Sequence, residues 1–219
     1  RRVVVRDTPA RPESPYPETS TPVAAANLAS PPITSDPPHH RPARMVLLPA
    51  FTPDAVARLV PVARKICRDL IGRFTSQGGC DAAIDYAQHV PVAVIASMLG
   101  LPAGDGDRFR RWVYLLLHEG VTNNTSFMQA LGEMDTYFRD QIASRREVPG
   151  EDLITFLLDA EMDGQPLSDE HIIGTLRLLL IAGIDTTWSA IGASLWHLAK
   201  HPQDRRRLVA EPALMPTAV

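Results

Sequence analysis

Apolar residues recur at three- and four-residue intervals along most of the chain after residue 36, and no stretch alternates apolar and polar residues as a half-buried strand does. This pattern predicts α-helices over about residues 37–49, 53–75, 82–99, 105–118, 125–146 and 151–161. A turn is expected at residues 162–166, which contain Asp163, Gly164 and Pro166. The sequence therefore predicts a mainly α-helical protein whose length suits one domain.

The longest apolar stretch follows that turn and predicts one central helix from Ser168 to about Lys200. Ser168 is suited to cap the N-terminus, and Asp169 and Glu170 suit the first turn because of the helix dipole. Pro202 lies just beyond the far end. A helix of about thirty residues spans roughly 45 Å, enough to cross a domain. We therefore expect this helix to be buried in the centre of the protein.

The middle of the predicted central helix contains residues that are poor choices for a helix. Gly183 costs about 1 kcal/mol relative to alanine there, and Asp185, Thr186 and Thr187 are also weak helix formers. Thr186 can hydrogen-bond the carbonyl of Ala182 and open a groove, while Gly183 would let a flat ligand approach the backbone. Asp185 would then place an acid beside an alcohol, a pair that can relay protons. The alternative is a kinked core helix whose Asp and Thr side chains face solvent.

A second motif lies in the first predicted helix. Asp36 can cap this helix, and Pro37 would take the favoured first helical position. His40 and Arg44 are then four residues apart on one face, where an imidazole and a guanidinium can bind the same anion. The carboxylates of a cofactor are one such target. The alternative is a solvated basic face, since Arg41 lies nearby.

Together, the two motifs resemble those of the cytochrome P-450 superfamily of haem-thiolate monooxygenases, and the bacterial members most closely. Residues 182–187 are similar to the central I-helix motif of the family, and residues 36–44 to its C-helix motif. The resemblance covers about residues 31–219. It implies a mainly α fold that corresponds to the middle portion of the family's structure, from the C helix through the I helix.

The resemblance implies an oxidoreductase that activates dioxygen and hydroxylates a small organic substrate. The cofactor would be haem b (iron protoporphyrin IX), and a ferredoxin or a flavin reductase would supply electrons. By the same resemblance, His40 and Arg44 would contact the haem propionates. Ala182 and Gly183 would lie against the distal face of the porphyrin.

The resemblance also implies roles in catalysis and in substrate choice. Thr186 would be the alcohol beside dioxygen, and Asp185 the neighbouring acid, so that the two form the catalytic pair. The region of residues 105–130 would contribute to the substrate pocket. Its Phe109 and Tyr114 would make that pocket apolar.

The chain departs from the family at the axial ligand of the haem iron. Its two cysteines, Cys67 and Cys80, lie outside the glycine-rich cysteine loop of the family, and the Glu-x-x-Arg motif of the K helix is missing. Cys67 falls on an apolar stripe and is predicted to be an ordinary core residue. We therefore expect a fragment, truncated before the K helix and the cysteine loop, with no metal ligand of its own. The alternative is a non-catalytic helical remnant or a binding protein that lacks the haem ligand.

The N-terminal region has a different composition from the rest of the chain. Residues 1–38 contain nine prolines, no glycine and little apolar periodicity, as disordered or extended segments do. Residues 1–30 are therefore predicted to be a disordered or anomalous Pro-rich segment, and residues 31–219 a partial helical domain.

Charge and the length of apolar runs exclude two classes of partner. The net charge is −3, and the 22 basic residues are scattered, so no basic stripe offers a nucleic-acid interface. The most apolar run of the central helix lies between Arg177 and Asp185, far short of the roughly twenty residues that a membrane span needs. We therefore expect a cytoplasmic protein that binds neither nucleic acid nor a membrane.

His197 and His201 lie four residues apart, a spacing at which two histidines of a helix can ligate a metal ion. They also lie where the central helix is predicted to end. A histidine at such a position more often caps the helix or complements its dipole. The capping interpretation is the stronger one from sequence, and no metal site is predicted here.

Overall fold

A computed structural model describes residues 29–218 of the chain, and residues 1–28 of the Pro-rich segment predicted over residues 1–30 lie outside this range. The α-helices are α1 (His40–Leu47), α2 (Pro53–Thr75), α3 (His89–Met98), α4 (Gly106–Leu117), α5 (Asn124–Glu147), α6 (Leu153–Asp159), α7 (Asp169–Lys200), α8 (Pro202–Ala210) and α9 (Met215–Ala218). Short 3₁₀ segments lie at Leu48–Phe51, Ala103–Asp105, Glu119–Val121 and Pro212–Leu214, and a π-helix at Ala82–Ala87. The prediction of a mainly α protein is confirmed.

Two helices begin where the sequence predicts, because their first residues carry capping side chains. Thr52 precedes α2 and its Oγ1 accepts a hydrogen bond from the backbone N–H of Ala55 at 3.3 Å, while Pro53 takes the first helical position. Ser168 precedes α7 and its Oγ accepts from the backbone N–H of His171 at 3.2 Å. Both helices also end at the predicted residues.

The predicted start of α1 is wrong. The helix begins at His40 rather than at Pro37, and no side chain caps it. Residues 37–39 form a turn instead, in which the backbone carbonyl of Asp36 accepts from the N–H groups of His39 at 2.8 Å and His40 at 3.1 Å. Asp36 thus contributes its carbonyl and not its carboxylate. His40 and Arg44 still share one helix.

The predicted helix over residues 82–99 is two elements, the π-helix and then α3. Asp81 caps the π-helix, since its Oδ1 accepts from the N–H groups of Ala83 at 2.9 Å and Ile84 at 3.0 Å. The turn at residues 162–166 is a hairpin of two antiparallel strands, β1 (Glu161–Met162) and β2 (Gln165–Pro166). Asp163 and Gly164 form its turn with φ of 55° and 75°. Strands of two residues are too short to show alternation.

The hydrophobic core lies between α3, α4, α5, α6 and the first half of α7. Its largest fully buried side chains are Trp112, Phe109, Phe138, Leu99, Met134, Ile142, Ile154, Leu157, Ile172, Ile173, Leu176 and Leu180. Phe109 is among them and is therefore not available to line a substrate pocket, contrary to the prediction. It stacks instead on Trp112 and Tyr137, with ring centroids 5.7 Å apart in each pair.

Only the first half of α7 is buried as predicted. The fully buried residues of this helix end at Ile184, and beyond it the side chains are half-buried or exposed, with Trp196 51% exposed. Within residues 29–218, α7 alone is a helix long and apolar enough to cross a membrane, and α1 with its 3₁₀ extension and α2 passes the same test as one pair bent by 50°. The 18-residue window of α7 that passes this test is 11% buried in the described structure.

The apolar stripe of α2 lies largely outside the core, and the interpretation of Cys67 as a core residue is wrong. Val56, Val60 and Ile71 of this stripe are 48%, 45% and 46% exposed. Cys67 is half-buried beside the π-helix. Helical periodicity shows that a helix has an apolar face, but it does not show which element covers that face.

The segment before α1 lies across the first half of α7. Thr175 Oγ1 donates to the carbonyl of Pro31 at 3.3 Å, and Arg177 Nη2 donates to the carbonyl of Ala29 at 3.0 Å. Arg177 is buried and also pairs with Asp135 of α5, at 3.2 Å between Nη1 and Oδ1. These contacts fix the segment that leads into α1 against the first half of α7.

Candidate functional site

The candidate site lies in the middle of α7, where the buried half of the helix gives way to the uncovered half. Thr186 Oγ1 donates a hydrogen bond to the carbonyl of Ala182 at 2.8 Å, as the sequence predicts. Ala182, Thr186 and Thr187 are all exposed in the described chain. Ala182 and Thr186 lie one turn apart, and together they leave a strip of small exposed side chains along the helix, which we call the open strip.

Asp185 points away from this strip towards the end of α4. Its Oδ1 lies 3.6 Å from Nε2 of His118, the residue that ends α4. The imidazole of His118 stacks on the ring of Tyr114, with centroids 5.5 Å apart and planes inclined by 24°. Both members of the pair are partly exposed, the side chains by 27% for Asp185 and 43% for His118. The acid of α7 thus has an ionisable partner on a neighbouring helix.

Sequence reasoning did not find His118. The residue follows the apolar run that ends α4, and nothing in its local pattern distinguishes it from a helix C-terminal histidine. The signal would have been its position at the end of a helix that packs on α7, but helix packing is not visible in a single sequence. The pairing with Asp185 is a tertiary contact.

Gly183 makes room for a neighbouring helix. A Cβ at this position would lie 2.6 Å from Cδ1 and 2.9 Å from Cγ1 of Ile95 in α3, closer than such contacts allow. The missing side chain is therefore required by the packing of α3 on α7. The predicted contact between Gly183 and a porphyrin stays a prediction.

His40 and Arg44 lie on α1, which Ala43 and Leu47 anchor through their buried side chains. Arg44 is exposed and His40 half-buried. Within residues 29–218 neither side chain has a hydrogen bond or an ion pair, so both are available to an anionic ligand. The same observation means that no polar contact joins them to Asp185, and the structure leaves the two motifs as separate groups.

The two cysteines differ from the thiolates that ligate iron. Burial and the charges of Asp85 and Asp81 raise the pKa of the Cys80 thiol, and such a thiol holds its proton. Burial and a hydrogen bond with Cys67 raise the pKa of Tyr86 to about 12. Cys67 therefore serves as the partner of a tyrosine hydroxyl.

The residues described here fit part of a haem site. The open strip of α7 suits the face of a flat macrocycle, and the unpartnered His40 and Arg44 suit its carboxylates. The axial thiolate is not supplied by either cysteine, on the arguments just given. These residues could thus line the distal side and the edge of the cofactor.

Comparison with known proteins gives consistent matches to one family. The sequence profile of the cytochrome P-450 family matches residues 115–213. Over 189 residues the chain is 32% identical to cytochrome P-450 CYP107DY1 of Priestia megaterium, covering 85% of this chain and 46% of the relative. It is 33% identical over 188 residues to the Vitamin D(3) 25-hydroxylase of Pseudonocardia autotrophica, with the same 85% and 46% coverage.

The fold is similar to that of solved structures as well. The crystal structure of myxobacterial cytochrome P-450 CYP267B1 in complex with myristic acid matches with a TM-score of 0.79 and 33% sequence identity, covering 90% of this chain and 50% of that one. The chain therefore spans about half the length of the curated relatives that it matches.

Proposed function

The chain belongs to the cytochrome P-450 superfamily over the part that it shares with these relatives, and from this premise we propose that it forms the distal part of the active site of a haem-dependent monooxygenase. The reaction is the insertion of oxygen from dioxygen into a small organic substrate. Since the chain spans about half of its relatives, this activity is that of a complete enzyme which carries this segment.

One observation carries the proposal: Thr186, an alcohol on the open strip of α7, is directly preceded in the chain by an acid, Asp185. Haem b, when bound, supplies the iron at which dioxygen is activated. Thr186 holds its hydroxyl on the carbonyl of Ala182, and rotation about the Cβ–Oγ1 bond turns the proton towards a ligand on the strip. Asp185, whose carboxylate faces the end of α4, takes up a proton from solvent and returns it through water to that hydroxyl as the hydroxyl gives up its own.

The cofactor would be held at two places. The guanidinium of Arg44 and the imidazole of His40 donate hydrogen bonds to the propionates, since neither has a partner within residues 29–218. Ala182 and Gly183 present the backbone of α7 to the porphyrin. Haem binding thereby joins α1 to α7, which the described polar contacts leave unconnected except through residues 29–31.

The substrate side would lie at the end of α4. Tyr114, Leu117 and Val121 are 55%, 37% and 52% exposed next to His118, and their side chains are apolar or aromatic. Relatives named for vitamin D(3) and for mycinamicin IV, and a neighbour solved with myristic acid, favour a largely apolar substrate. Once a substrate covers it, an apolar surface of this kind excludes water from the reacting centre.

Electrons would come from a ferredoxin or a flavin reductase. Arg41 is exposed on α1 and is the residue that we assign to docking such an acidic partner. Charge reversal at Arg41 in a complete enzyme should slow its reduction and change the salt dependence. An unchanged rate would remove Arg41 from the docking surface.

Titration of the 219-residue chain with haemin tests the cofactor half of the proposal. We expect saturable binding that weakens in Arg44→Gln and His40→Gln but not in Arg58→Gln, a matched change at an exposed arginine of α2. An equal loss of haemin affinity in all three variants, or no haemin binding by the unaltered chain, would favour a helical remnant without a cofactor. In a complete enzyme, the carbon monoxide difference spectrum of thiolate-ligated haem and substrate-dependent oxygen uptake test the activity.

A further inference from the structure

The junction between α7 and α8 brings together three side chains that ligate metals. We propose that His197, His201 and Asp204 bind a divalent transition-metal ion of the zinc class. His197 lies in the last turn of α7, His201 directly follows the helix, and Asp204 lies in the first turn of α8. One ligand atom from each lies within 4.8 Å of the other two.

The two imidazoles are already arranged as a pair. Their ring centroids are 4.1 Å apart and their planes are inclined by 21°. Nε2 of His197 lies 2.9 Å from Oδ2 of Asp204, to which it donates, so an ion bound between them replaces this proton and releases it to solvent. Two histidines four residues apart on one face of a helix form a recurrent zinc-binding pair, and here a carboxylate from the next helix is the third donor.

The protonation of His201 suits a ligand. Its Nδ1 lies 3.0 Å from the backbone carbonyl of His197, and a carbonyl only accepts, so Nδ1 carries the proton and donates it. Nε2 of His201 is left with its lone pair. Metal-ligating histidines commonly have their second ring nitrogen fixed in this way by a backbone carbonyl. The capping contact predicted from sequence is therefore confirmed, and it leaves the ring ready to bind.

The chemistry of the donors selects the ion. Two imidazoles and one carboxylate favour zinc and its neighbours in the first transition row, while magnesium and calcium prefer oxygen donors. An ion about 2.0 to 2.2 Å from each ligand atom requires the three ligand atoms to converge on it. These atoms already lie within 4.8 Å of one another. All three side chains are exposed or half-buried, so small rotations suffice. A water molecule would fill the fourth position.

The site is open to solvent and distant from the candidate site. Asp204 and His197 line a cavity of about 320 Å³ together with Arg207. The positive charge of Arg207 repels a bound cation. Asp204 supplies the compensating negative charge. Asp185 lies twelve residues before His197 on the same helix, or about 18 Å along its axis. Metal binding here is therefore independent of the proposed haem site.

Binding would strengthen the connection between two helices that already share the His197–Asp204 pair. An ion held by His197 and Asp204 cross-links the end of α7 to the start of α8, and it binds the folded arrangement more tightly than the unfolded chain. Such a ligand raises the stability of the folded state by mass action. The bound ion thus fixes the direction in which the chain leaves α7.

Titration of the 219-residue chain with Co²⁺, followed by its visible absorption, tests the proposal, and calorimetry with Zn²⁺ gives the stoichiometry. We expect one ion per chain, and more than tenfold weaker binding in His197→Gln, His201→Gln and Asp204→Asn. The matched control is His39→Gln, at an exposed histidine beside a second one, His40. Zn²⁺ should raise the melting temperature of the unaltered chain and of this control, but not of the three variants.

Circular dichroism establishes that each variant has the helix content of the unaltered chain before binding is compared. Retention of full affinity in His197→Gln and His201→Gln would overturn the proposal. Weakened metal binding in His39→Gln, or equal affinity for Mg²⁺ and Zn²⁺, would also overturn it. Either result would show that these three donors are not the site. None of these readouts depends on haem, so they stand whatever the haemin titration gives.

Discussion

His118 Nε2 lies 3.6 Å from Oδ1 of Asp185, and this pair joins the end of α4 to the middle of α7. The carboxylate proposed to relay protons is therefore oriented by a side chain of a neighbouring helix.

In a complete enzyme, His118→Ala should lower the amount of product formed per electron pair consumed, because the Asp185 carboxylate loses the contact that fixes its orientation. Asp185→Asn should also lower this ratio, and the double variant should add little to either single change, because the two residues act as one unit. An unchanged ratio in His118→Ala would separate this histidine from proton transfer.

Thr186→Ala should raise hydrogen peroxide release severalfold relative to product in a complete enzyme. The hydroxyl that bonds the Ala182 carbonyl is the proton donor proposed for the open strip. Thr187→Ala is the matched control, since this neighbour is also exposed but makes no such bond. Peroxide and product are measured against the reductant consumed. Equal effects of the two substitutions would show that Thr186 has no special role.

Two glycines of α7 should respond in opposite directions to substitution by alanine. At Gly174 a Cβ would overlap the carbonyl of Ala29 and lie 2.9 Å from Cδ of Pro31, whereas at Gly192 it would meet nothing within 4 Å. Gly174→Ala should destabilise the protein by about 1–3 kcal/mol, the range for overpacking. Gly192→Ala should stabilise it by about 0.5–1 kcal/mol, because glycine is the more flexible residue in the unfolded chain.

Urea unfolding of both variants measures these changes, and limited proteolysis near residue 29 reports whether the segment has left α7. An unchanged cleavage pattern in Gly174→Ala would contradict the packing described for residues 29–31. Destabilisation by Gly192→Ala would contradict the open space around that glycine.

Acid should destabilise the protein through two histidines. Burial, and then the charges of Arg110 and Arg73, lower the pKa of His89. Burial also lowers the pKa of His171. Nδ1 of His89 lies 3.0 Å from Nη1 of Arg110, which can only donate, so this nitrogen is unprotonated. Both imidazoles are therefore neutral in the folded protein at a pH where they would be charged after unfolding.

The direction in which the free energy of unfolding changes with pH follows from proton linkage. Between the lowered folded pKa and the unfolded value of about 6.5, the unfolded state binds more protons, so the free energy of unfolding falls as pH falls. The loss begins as pH drops through the unfolded value and levels off below the folded one. Urea unfolding at about pH 7.5 and about pH 5.5 measures the loss of unfolding free energy between the two pH values. This loss should be smaller in the double variant His89→Gln/His171→Gln than in the unaltered protein. The same difference as in the unaltered protein would assign the acid sensitivity to other groups.

The parts of the fold that could be predicted from sequence are those fixed by short-range chemistry. The bounds of α2 follow from Thr52 and Pro53, and the start of α7 follows from Ser168, because capping acts over three or four residues. The hydrogen bond from Thr186 to Ala182 has the same local origin. The start of α1 was not predictable, since Asp36 uses its backbone carbonyl in a turn.

The features that could not be predicted depend on which helices pack against one another. The pairing of Asp185 with His118, the packing of Ile95 on Gly183 and the exposure of the α2 stripe each involve residues far apart in the chain. A hydrophobic period identifies an apolar face but not its partner. The cofactor contacts proposed for His40 and Arg44 also lie beyond helix packing, because they depend on a group that binds from outside the chain.

The contact of residues 29–31 with α7 has a consequence for synthesis on the ribosome. Pro31 and Thr175 are separated by 144 residues, so the N-terminal partner is made long before the other. At 5–20 residues per second, the delay is roughly 7 to 30 s. During that interval residues 29–31 lack the surface of α7 on which they pack in the folded protein. The cofactor edge that α1 is proposed to provide can therefore be completed only late in translation.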